Sequence, residues 1–314
     1  MKIQQLRYLS EVARQDLSVS AAADALHTSQ PGVSRQIKDL EEELGVEIFV
    51  RHGKRLTAIT EPGRAVLAIA ERILAEAANL KRAGAEFANE KLGTLTIATT
   101  HTQARYALPK AVAALKRRYP DVQLVIHQGN PTQICEMVLR GEADFAIATE
   151  QIAQFPELVS LPCYQWNRCV VVPPRHPLTR LKSLTLEELA RFPIVTYDFA
   201  FANRSLVEKA FEQRGLAPKV VLTALDADVI KTYVELGLGV GIMAKMAFDA
   251  KRDRGLKALD AAHLFESSTT RLGIKRGAYL RRYAYEFIEH FAPHLPRSIV
   301  EPAVRGAVGT RYEL

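Results

Sequence analysis

Two groups of polar side chains could do chemistry in this 314-residue chain, and the first lies near the amino terminus. On the major-groove edge of DNA, arginine pairs with guanine and glutamine pairs with adenine, which makes Arg35 and Gln30 candidates for reading bases. Basic side chains on a neighbouring turn would neutralise phosphates and set register rather than sequence. The alternative, a set of solvated surface charges, is weak for the whole group because all its members fall on one side of one predicted motif. The residues predicted to contact DNA are Ser29, Gln30, Pro31, Ser34, Arg35, Lys38, Arg51, His52, Lys54 and Arg55.

The second group consists of hydroxyl and amide side chains where predicted strands end. The segment THTQARYALP, residues 100–109, follows a strand and opens a helix, and ligands of open α/β sheets bind beyond the carboxyl ends of strands. A helix start offers free N–H groups and a positive dipole end, which suit a small oxyanion or carboxylate. A single threonine there is more often a cap than a ligand, but several around one crevice favour ligand binding. The residues concerned are Thr100, Thr102, Gln103, Thr149 and Thr132.

The elements that must position the first group fall within residues 1–58. A helix at about Ser20–Leu26 and a second helix capped by Ser29 are joined by a tight turn. The second helix has one apolar face and ends at Gly45. The segment Ile48–Ala58 is typical of two short strands about a basic turn. Two helices with a tight turn and a basic wing indicate a winged helix-turn-helix domain.

A long linker helix is predicted over residues 59–90, opening at Thr60 and Pro62 and running to about Ala88. A helix of about 28 residues spans about 42 Å and cannot bury an apolar stripe alone. The stripe packs either against its own domain or, in the interpretation we favour, against the same helix of a second subunit. Two winged domains held in that way would meet two half-sites of a near-palindromic DNA operator. The stripe consists of Val66, Ile69, Ile73, Ala77 and Leu80.

Short apolar strands alternate with helices through residues 91–295, which favours parallel sheets covered by helices on both faces. Two such groups of elements predict an α/β domain of two lobes with a cleft between them. Lobe I is expected at about 91–163 and 267–295, and lobe II at about 164–266. The fold class is therefore α+β and α/β with several domains, ending in a loosely patterned, peripheral tail at 296–314.

Composition excludes several classes of protein. With 48% hydrophobic and 25% charged residues, the chain is neither disordered nor fibrous. No apolar run reaches about 18 residues, so no membrane partner is expected, and the start lacks the apolar core of a signal peptide, so we expect a cytoplasmic protein. Cys135, Cys163 and Cys169 form no CxxC pair, which argues against a disulfide framework and a cysteine-rich zinc site.

The formal net charge of +7 does not by itself locate a DNA-binding surface. Residues 1–90 hold 12 basic and 13 acidic side chains, whereas residues 91–314 hold 30 basic and 22 acidic ones. The surplus lies in the larger carboxyl-terminal part, where it would favour anionic ligands. Any contact with DNA must therefore depend on the local arrangement of residues 1–58.

The sequence shows no pattern typical of an enzyme or a metal site. The glycines of GLGVG, residues 237–241, follow a helix and precede a strand, the reverse of a dinucleotide-binding loop. His290 and His294 have no nearby carboxylate pattern, and no GxSxG elbow, HExxH helix or phosphate loop is present. A solute-binding protein of a transporter would share the two lobes, but it would need export and would have no use for a winged helix.

Several longer runs are characteristic of a known family. The run AAADALHTSQPGVSRQIKDLEEELGVEIFVR, followed by LTAITEPG, closely resembles the winged helix of LysR-type transcriptional regulators. The rest resembles their CysB group, regulators of sulfur assimilation and cysteine synthesis, through ATTHTQARYALP, HQGNPTQI, ADFAIATE, LPCYQWNR, TALDADVIKTYVELGLGVG and FAPHL. The strings THTQARYALP and DADVIKTYV are specific to that group. The resemblance covers residues 1–295.

The resemblance implies an assembly, partners and an effector. The assembly is a homotetramer, a dimer of dimers, whose chains each carry a winged domain, a linker helix and an effector domain like a periplasmic binding protein. The implied partners are double-stranded DNA and RNA polymerase. No resident cofactor is implied, only a small effector: O-acetylserine or N-acetylserine, with sulfate or thiosulfate able to occupy or oppose the site. The residues matching the group's anion-binding motif are Thr100, Thr102, Gln103 and Thr149, and Trp166 and Tyr197 are cleft residues by position.

One loop departs from the group's pattern. The second-lobe loop of the group commonly reads FTGRS, with a threonine whose hydroxyl faces the ligand, whereas this chain has Ala202 at that place, within FANRS. An alanine cannot donate that side-chain hydrogen bond, although its backbone amide can. The departure leaves the inducer open, and a related regulator that responds to another sulfur signal, such as sulfate starvation for sulfonate use, is the alternative.

Overall fold

A computed structural model describes residues 1–53, 55–89, 91–198 and 206–306. The chain forms two compact units, Met1–Ala85 and Glu86–Leu314. Within the described ranges, every helix is too short or too polar to cross a membrane.

The amino-terminal unit is a helix-turn-helix followed by a two-stranded antiparallel wing. Its core contains the apolar face predicted for the second helix of the motif, since Val33, Ile37 and Leu40 are buried, whereas Leu44 in the last turn is exposed. The elements are α1 (Ile3–Arg14), α2 (Val19–Ala25), α3 (Gln30–Leu44), β1 (Phe49–His52), β2 (Arg55–Ile59) and α4 (Glu61–Ala88), most of which belongs to this unit.

The long helix α4 starts in close contact with the wing. The Thr60 N–H donates to the Ile48 carbonyl at 3.0 Å. A Cβ at Gly63 would lie 2.1 Å from the same carbonyl oxygen, so glycine is required for this approach. Val66 and Ile73 of the apolar stripe pack on the core of the winged unit, whereas Ile69 is 48% exposed and Leu80, further along, is 76% exposed. Packing against its own domain thus applies to the first part of the helix, and packing against a second subunit stays a prediction for the rest.

The second unit contains two five-stranded sheets, one in each lobe. Lobe I has the strand order β4-β3-β5-β12-β6, and lobe II has the order β11-β7-β10-β8-β9. The strands are β3 (Gly93–Thr99), β4 (Val122–Gln128), β5 (Phe145–Ala148), β6 (Leu158–Trp166), β7 (Arg168–Val172), β8 (Ile194–Tyr197), β9 (Val220–Ala224), β10 (Val240–Ala244), β11 (Lys257–Asp260) and β12 (Ser268–Lys275). The helices are a π-helix at Gln103–Ala107, α5 (Leu108–Arg118), α6 (Pro131–Arg140), α7 (Leu186–Ala190), α8 (Leu206–Gln213), α9 (Ala227–Glu235), α10 (Arg282–Phe291) and α11 (Arg297–Val304).

Each sheet buries both of its faces, because successive side chains of a strand point to opposite sides. In lobe I, Leu95 and Ile97 of β3 belong to one core and Ala98 belongs to the other. In lobe II, Val170 and Val171 of β7 divide in the same way. The near-continuous apolar strands of the sequence therefore reflect coverage by helices on both sides.

The expectation of parallel sheets is only partly right, since both sheets are mixed. Strand β3 pairs in parallel with β4 and β5, but β12 runs antiparallel to both β5 and β6. In lobe II, β8 pairs in parallel with β9 and β10, while β7 runs antiparallel to β10 and β11. The antiparallel strands arise because the chain crosses between the lobes twice, after β6 and before β12.

The expectation of a peripheral tail after residue 295 is wrong for its first part. Residues Arg297–Val304 form helix α11, and Val300 and Val304 are buried in the core that includes α5 and α10. The pattern was hard to recognise because the helix is short and contains Pro302. Residues 307–314 lie outside the described part of the chain.

Candidate functional sites: a DNA-facing helix and a cleft between lobes

Helix α3 presents the first group of predicted residues. The Ser29 hydroxyl accepts a hydrogen bond from the Gly32 N–H at 3.3 Å, which caps the helix start as expected. The Gln30 amide donates to the Ser34 hydroxyl at 3.2 Å. Ser34 is half-buried, and the other members of the group on this helix and its cap are exposed: Ser29, Gln30, Pro31, Arg35 and Lys38. The structure thus brings these polar groups together at the amino-terminal half of one helix.

The wing is attached to α3 by the carboxylate of Glu41, which is not among the residues predicted to contact DNA. Glu41 is 9% exposed and accepts hydrogen bonds from the Ile48 and Phe49 N–H groups at 2.9 and 3.2 Å. It also pairs with the Arg51 guanidinium at 2.8 Å, so Arg51 is fixed by α3 as well as exposed on the wing. His52 and Arg55 are exposed beside the turn, and Lys54 lies outside the described residues. This role of Glu41 is not predictable from the sequence, because a glutamate in a helix is ordinarily a solvated residue.

The ends of β3 and β5 bring together the threonines of the second group. The two strands are adjacent and parallel, with Thr99 opposite Ile147, so Thr100 and Thr149 follow them at the same edge of the sheet. Both residues are half-buried. Thr149 precedes a short 3-10 helix and makes no side-chain cap hydrogen bond to it. Their hydroxyls are placed where ligands of such sheets bind.

The helix after β3 begins as a π-helix rather than an α-helix. The Ala104 N–H donates to the Thr100 carbonyl at 3.0 Å, and the π-helix then covers Gln103–Ala107 before α5 starts at Leu108. Single π-turns are rare and occur frequently at functional sites. The amide groups of its first turn have the polarity that attracts an anion.

The surroundings of Gln103 differ from those expected of a ligand-binding residue. It is 2% exposed, its amide nitrogen donates to the Thr270 hydroxyl at 3.0 Å, and its amide oxygen accepts from the Tyr164 hydroxyl. Both ends of this side chain are thus used within lobe I. A ligand that used the Gln103 side chain would have to replace one of these hydrogen bonds. In this arrangement, Gln103 instead attaches the threonine segment, residues 100–103, to β12 and β6.

Tyr197 meets the threonine segment from lobe II. Its hydroxyl accepts from the Ala244 N–H at 3.3 Å, and the nearby Thr102 side chain acts to lower its pKa. Burial raises the pKa of Tyr197, so the phenol stays protonated and remains available as a donor. Two residues predicted independently, Thr102 and Tyr197, are therefore direct neighbours across the lobes.

Trp166 lies at the crossover between the lobes, with a polar atom that has no partner. Its indole N–H is buried and has no hydrogen-bond partner among the described residues. The Arg168 guanidinium lies over the indole ring, 5.1 Å from the centroid, and donates to the Ser268 hydroxyl at 3.0 Å. Burial lowers the pKa of Arg168, while Glu150 and Tyr197 counteract that effect. An unpaired indole donor beside a cation is suited to an anionic acceptor.

Of the remaining two predicted residues, Thr132 is not brought into this arrangement and Ala202 cannot be placed. Thr132 is exposed in the first turn of α6, a helix already capped by Asn130 and Gln133 of its own chain. The side chains of Asn130 and Gln133 therefore already pair with backbone N–H groups at the start of α6. Ala202 lies outside the described residues.

One group of side chains has the composition of a metal site. His101, Asp226 and Asp228 place ligating atoms within 4.8 Å of one another, and the His101 Nδ1 is buried without a partner among the described residues. Asp228, however, already pairs with Arg105 and Lys231 at 2.9 and 3.1 Å. A divalent ion would have to compete with these two cations, so the charges do not favour a metal here.

Comparison with known proteins identifies both parts of the chain. The family model for the LysR substrate binding domain matches residues 88–296. The model for bacterial regulatory helix-turn-helix proteins of the lysR family matches residues 3–64.

Individual relatives match along the full length. The chain is 55% identical over 308 residues to the HTH-type transcriptional regulator SsuR of Burkholderia cenocepacia, covering 98% of this chain and 100% of that protein. It is also 55% identical to CysB of the same organism over 314 residues, covering 100% of both. Identity to the regulator Cbl of Escherichia coli is 48% over 289 residues, which is 92% of each protein.

Solved structures agree with the two-lobed fold. The cofactor-binding domain of the Cbl regulator superposes with a TM-score of 0.65 at 42% identity, covering 68% of this chain and 93% of that one. A full-length OxyR variant from Pseudomonas aeruginosa gives a TM-score of 0.67 at 22% identity over 93% of this chain and 94% of that one, a likeness of fold alone. The expected fold class is confirmed, and the relatives are transcriptional regulators rather than enzymes, as predicted.

Proposed function

Because the chain belongs to the LysR family of transcriptional regulators, we propose that it controls genes of sulfur assimilation and cysteine biosynthesis in response to a small anionic effector. The observation that carries this proposal is 55% identity to a CysB regulator along the whole of both chains. The two strings that resemble the CysB group most specifically, THTQARYALP and DADVIKTYV, support the same assignment.

The effector is O-acetylserine or N-acetylserine, and sulfate or thiosulfate occupies or opposes the same site. Its negative group is held by Thr100, Thr102 and Thr149 with the amide groups at the start of the π-helix. The buried indole N–H of Trp166, which has no partner in the described part of the chain, and the neutral phenol of Tyr197 complete the donors. Neutral donors and helix ends suit a small anion that must be released again, because they attract it without a full counter-charge.

DNA is bound by α3 in the major groove, with the wing beside it. Arg35 and Gln30 read base edges, and Lys38, Arg51 and Arg55 contact phosphates. The exposed second half of the α4 stripe, including Leu80, is covered by a second copy of the chain, which supports a dimer of dimers on a near-palindromic operator. The regulator acts in the cytoplasm, on DNA and with RNA polymerase.

Regulation needs only a difference in affinity between two arrangements of the lobes. A ligand that binds one arrangement better shifts the population toward it, and by no more than that difference allows. In the tetramer, this shift changes the angle between the DNA-binding dimers. Ligand binding and operator binding are then coupled in both directions.

The test is a panel of ligands applied to the full-length protein. Thermal shift and operator binding are measured with O-acetylserine, N-acetylserine, sulfate, thiosulfate and a sulfonate. We expect acetylserine to raise the melting temperature and to change operator affinity, with sulfate or thiosulfate competing. If no member of the panel changes either quantity, the proposed effector class is wrong.

A second candidate is a related regulator that responds to a different sulfur signal, such as sulfate starvation for sulfonate use. The chain is equally identical to SsuR and to CysB, and Ala202 removes a hydroxyl from the effector loop of the CysB group. The same panel separates the candidates, because this regulator would respond to sulfate or the sulfonate and not to acetylserine. Ala202→Thr would then be expected to increase acetylserine binding.

A further inference from the structure

We propose that four side chains, Arg105, Tyr106, Asp228 and Lys231, form an interlobe clamp that transmits ligand occupancy at the threonine segment, residues 100–103, to helix α9 in lobe II. The inference rests on the proposed effector site and adds the route by which that site acts on the second lobe. It assigns these four residues a positioning role, since none of them has to contact the ligand.

The clamp joins the two lobes through one carboxylate. Arg105 and Tyr106 belong to the π-helix of lobe I, and Asp228 belongs to the first turn of α9 in lobe II. The Arg105 Nε lies 2.9 Å from Asp228 Oδ2, and the Tyr106 hydroxyl donates to Asp228 Oδ1 at 2.8 Å. The Arg105 contact is an ion pair, and the Tyr106 hydrogen bond is stronger than a neutral one because its acceptor is ionised. The carboxylate is thus gripped by two consecutive residues of the opposite lobe.

Lys231 secures the same carboxylate from inside lobe II. Lys231 is buried, at 8% exposure, and its Nζ lies 3.1 Å from Asp228 Oδ1 and donates to the Tyr106 hydroxyl at 3.1 Å. It also donates to the Asp253 carboxylate and to the Ala247 carbonyl, each at 3.0 Å. A buried charge of this kind is stable only with a complete set of partners, and one of them, Tyr106, comes from lobe I.

The charges of the clamp are maintained by the groups around it. Burial lowers the pKa of Lys231, but hydrogen bonds with Tyr106, Asp253 and Asp228 outweigh burial and raise it above the ordinary value. Burial likewise raises the pKa of Asp228, and Tyr106, Lys231 and Arg105 together lower it below the ordinary value. The lysine therefore stays positive and the aspartate negative at neutral pH.

The clamp is directly continuous with the proposed ligand site. Arg105 follows Thr102 by three residues, and the Ala104 N–H is bonded to the Thr100 carbonyl at 3.0 Å. The segment from Thr100 to Tyr106 is therefore short and continuous, and a backbone hydrogen bond ties its start to the π-helix. A ligand that moves the threonines must move the arginine and tyrosine that hold Asp228.

On the other side, α9 is firmly attached to the lobe II sheet. Ala227, Ile230 and Val234 are buried in the core beneath it, so a change at Asp228 acts on the lobe and not on a loose loop. The two strings specific to the CysB group, separated by about 120 residues, thus meet at the clamp. The coupling between ligand binding and helix α9 through the clamp can be measured by comparing variants that lack the clamp contacts with the wild type.

The chain contains a matched control for the clamp. Arg118 and Tyr119, another Arg-Tyr pair, grip the Glu286 carboxylate by Arg118 Nε at 3.0 Å and the Tyr119 hydroxyl at 2.7 Å. All three of these residues lie in lobe I. The double variants Arg105→Ala/Tyr106→Phe and Arg118→Ala/Tyr119→Phe remove the same chemical groups, but only the first removes a contact between lobes.

The experiment is hydrogen–deuterium exchange of the full-length protein with and without sodium sulfate. In the wild type and the Arg118→Ala/Tyr119→Phe control, sulfate is expected to slow exchange both in residues 100–106 and in α9, residues 227–235. In Arg105→Ala/Tyr106→Phe, protection is expected to persist in residues 100–106 and to be lost in α9, with sulfate affinity reduced by roughly 5-fold or more. Tyr106→Phe alone, which removes one hydroxyl, serves if the double variant does not fold.

Two results would overturn the clamp, and they are distinguishable. Equal protection of α9 in the clamp variant and the control would refute transmission while leaving the effector site intact. Absence of protection at residues 100–106 in the wild type, with acetylserine as well as sulfate, would refute the effector site and the clamp together. A fall in melting temperature shared by both double variants is a stability effect and does not count for the clamp.

Discussion

At the residue scale, Arg35 and Arg51 of the DNA-binding unit have different surroundings. Arg35 projects from the first half of α3 and is exposed, whereas Arg51 is held at 2.8 Å by the buried Glu41. An arginine that reads a base needs its whole planar edge free, and one that contacts phosphate can share its charge. Arg35 is therefore the better candidate for specificity, and Arg51 for the position of the wing.

Replacing Arg35 with alanine should weaken binding to the specific operator by about 1–3 kcal/mol and leave binding to unrelated DNA nearly unchanged. The loss comes from the paired hydrogen bonds to a guanine. Fluorescence anisotropy with operator and scrambled duplexes at fixed salt measures both affinities. Arg14→Ala, in the same unit at the end of α1, is the control. Unchanged affinity and specificity in Arg35→Ala would refute the assignment.

The three cysteines should be unreactive in the folded protein. Burial raises the pKa of Cys135, Cys163 and Cys169 to about 12, and the thiolate is the reactive form. Titration with an aromatic disulfide reagent at pH 8 should modify them slowly in the native state and at once in denaturant. A thiol that reacts stoichiometrically within seconds in the native protein would show that its surroundings differ from those described.

At the element scale, the structure differs from the sequence interpretation where a local pattern is ambiguous. Strand β6 is hard to predict from sequence because it contains Pro162 and lacks alternation, and it is an edge strand, the place where a sheet tolerates proline. At Gln103–Ala107 the sequence predicts an ordinary helix where the structure has a π-helix, because the spacing of apolar residues does not distinguish the two. Helices with a cap and a regular stripe, such as α3 and α4, were predictable to within a few residues.

Helix α11 offers a test of where lobe I ends. Val300→Ala, which empties part of a buried site, should lower the free energy of unfolding by about 2 kcal/mol. Ser298→Ala, at an exposed position of the same helix, should change it by less than about 0.5 kcal/mol. Urea unfolding followed by tryptophan fluorescence measures both. Equal, small effects would mean that residues after 295 are peripheral after all.

At the scale of the whole molecule, one part of the candidate effector site could be predicted from the sequence and another part could not. Thr100 and Thr102 were predictable because their position after a strand and before a helix is visible locally. The proximity of Thr102 to Tyr197 and the interlobe clamp depend on residues about 95 to 125 positions apart, and no local pattern encodes such pairing. The net charge of +7 is likewise located outside the DNA-binding half, so it indicates an anionic partner without locating its surface.

The clamp also predicts how the molecule as a whole responds. When charged side chains join the two lobes, a ligand that displaces residues 100–106 can change the arrangement of the lobes. Each arrangement of the lobes is stabilised by its own discrete contacts. Loss of the clamp should therefore uncouple effector binding from operator binding without abolishing either one. This separates a positioning role from a simple loss of stability, which would reduce both.

The most direct test of the central claim, that a small anion binds between the lobes and controls DNA binding, is calorimetric titration of full-length wild type and Thr102→Ala with O-acetylserine and sulfate. We predict saturable binding to the wild type and to Arg35→Ala, and a loss of at least roughly 10-fold in affinity for Thr102→Ala, the size expected for a charge-assisted hydrogen bond. Operator binding by Thr102→Ala without ligand should be unchanged. Undiminished binding of both ligands to Thr102→Ala would contradict the account.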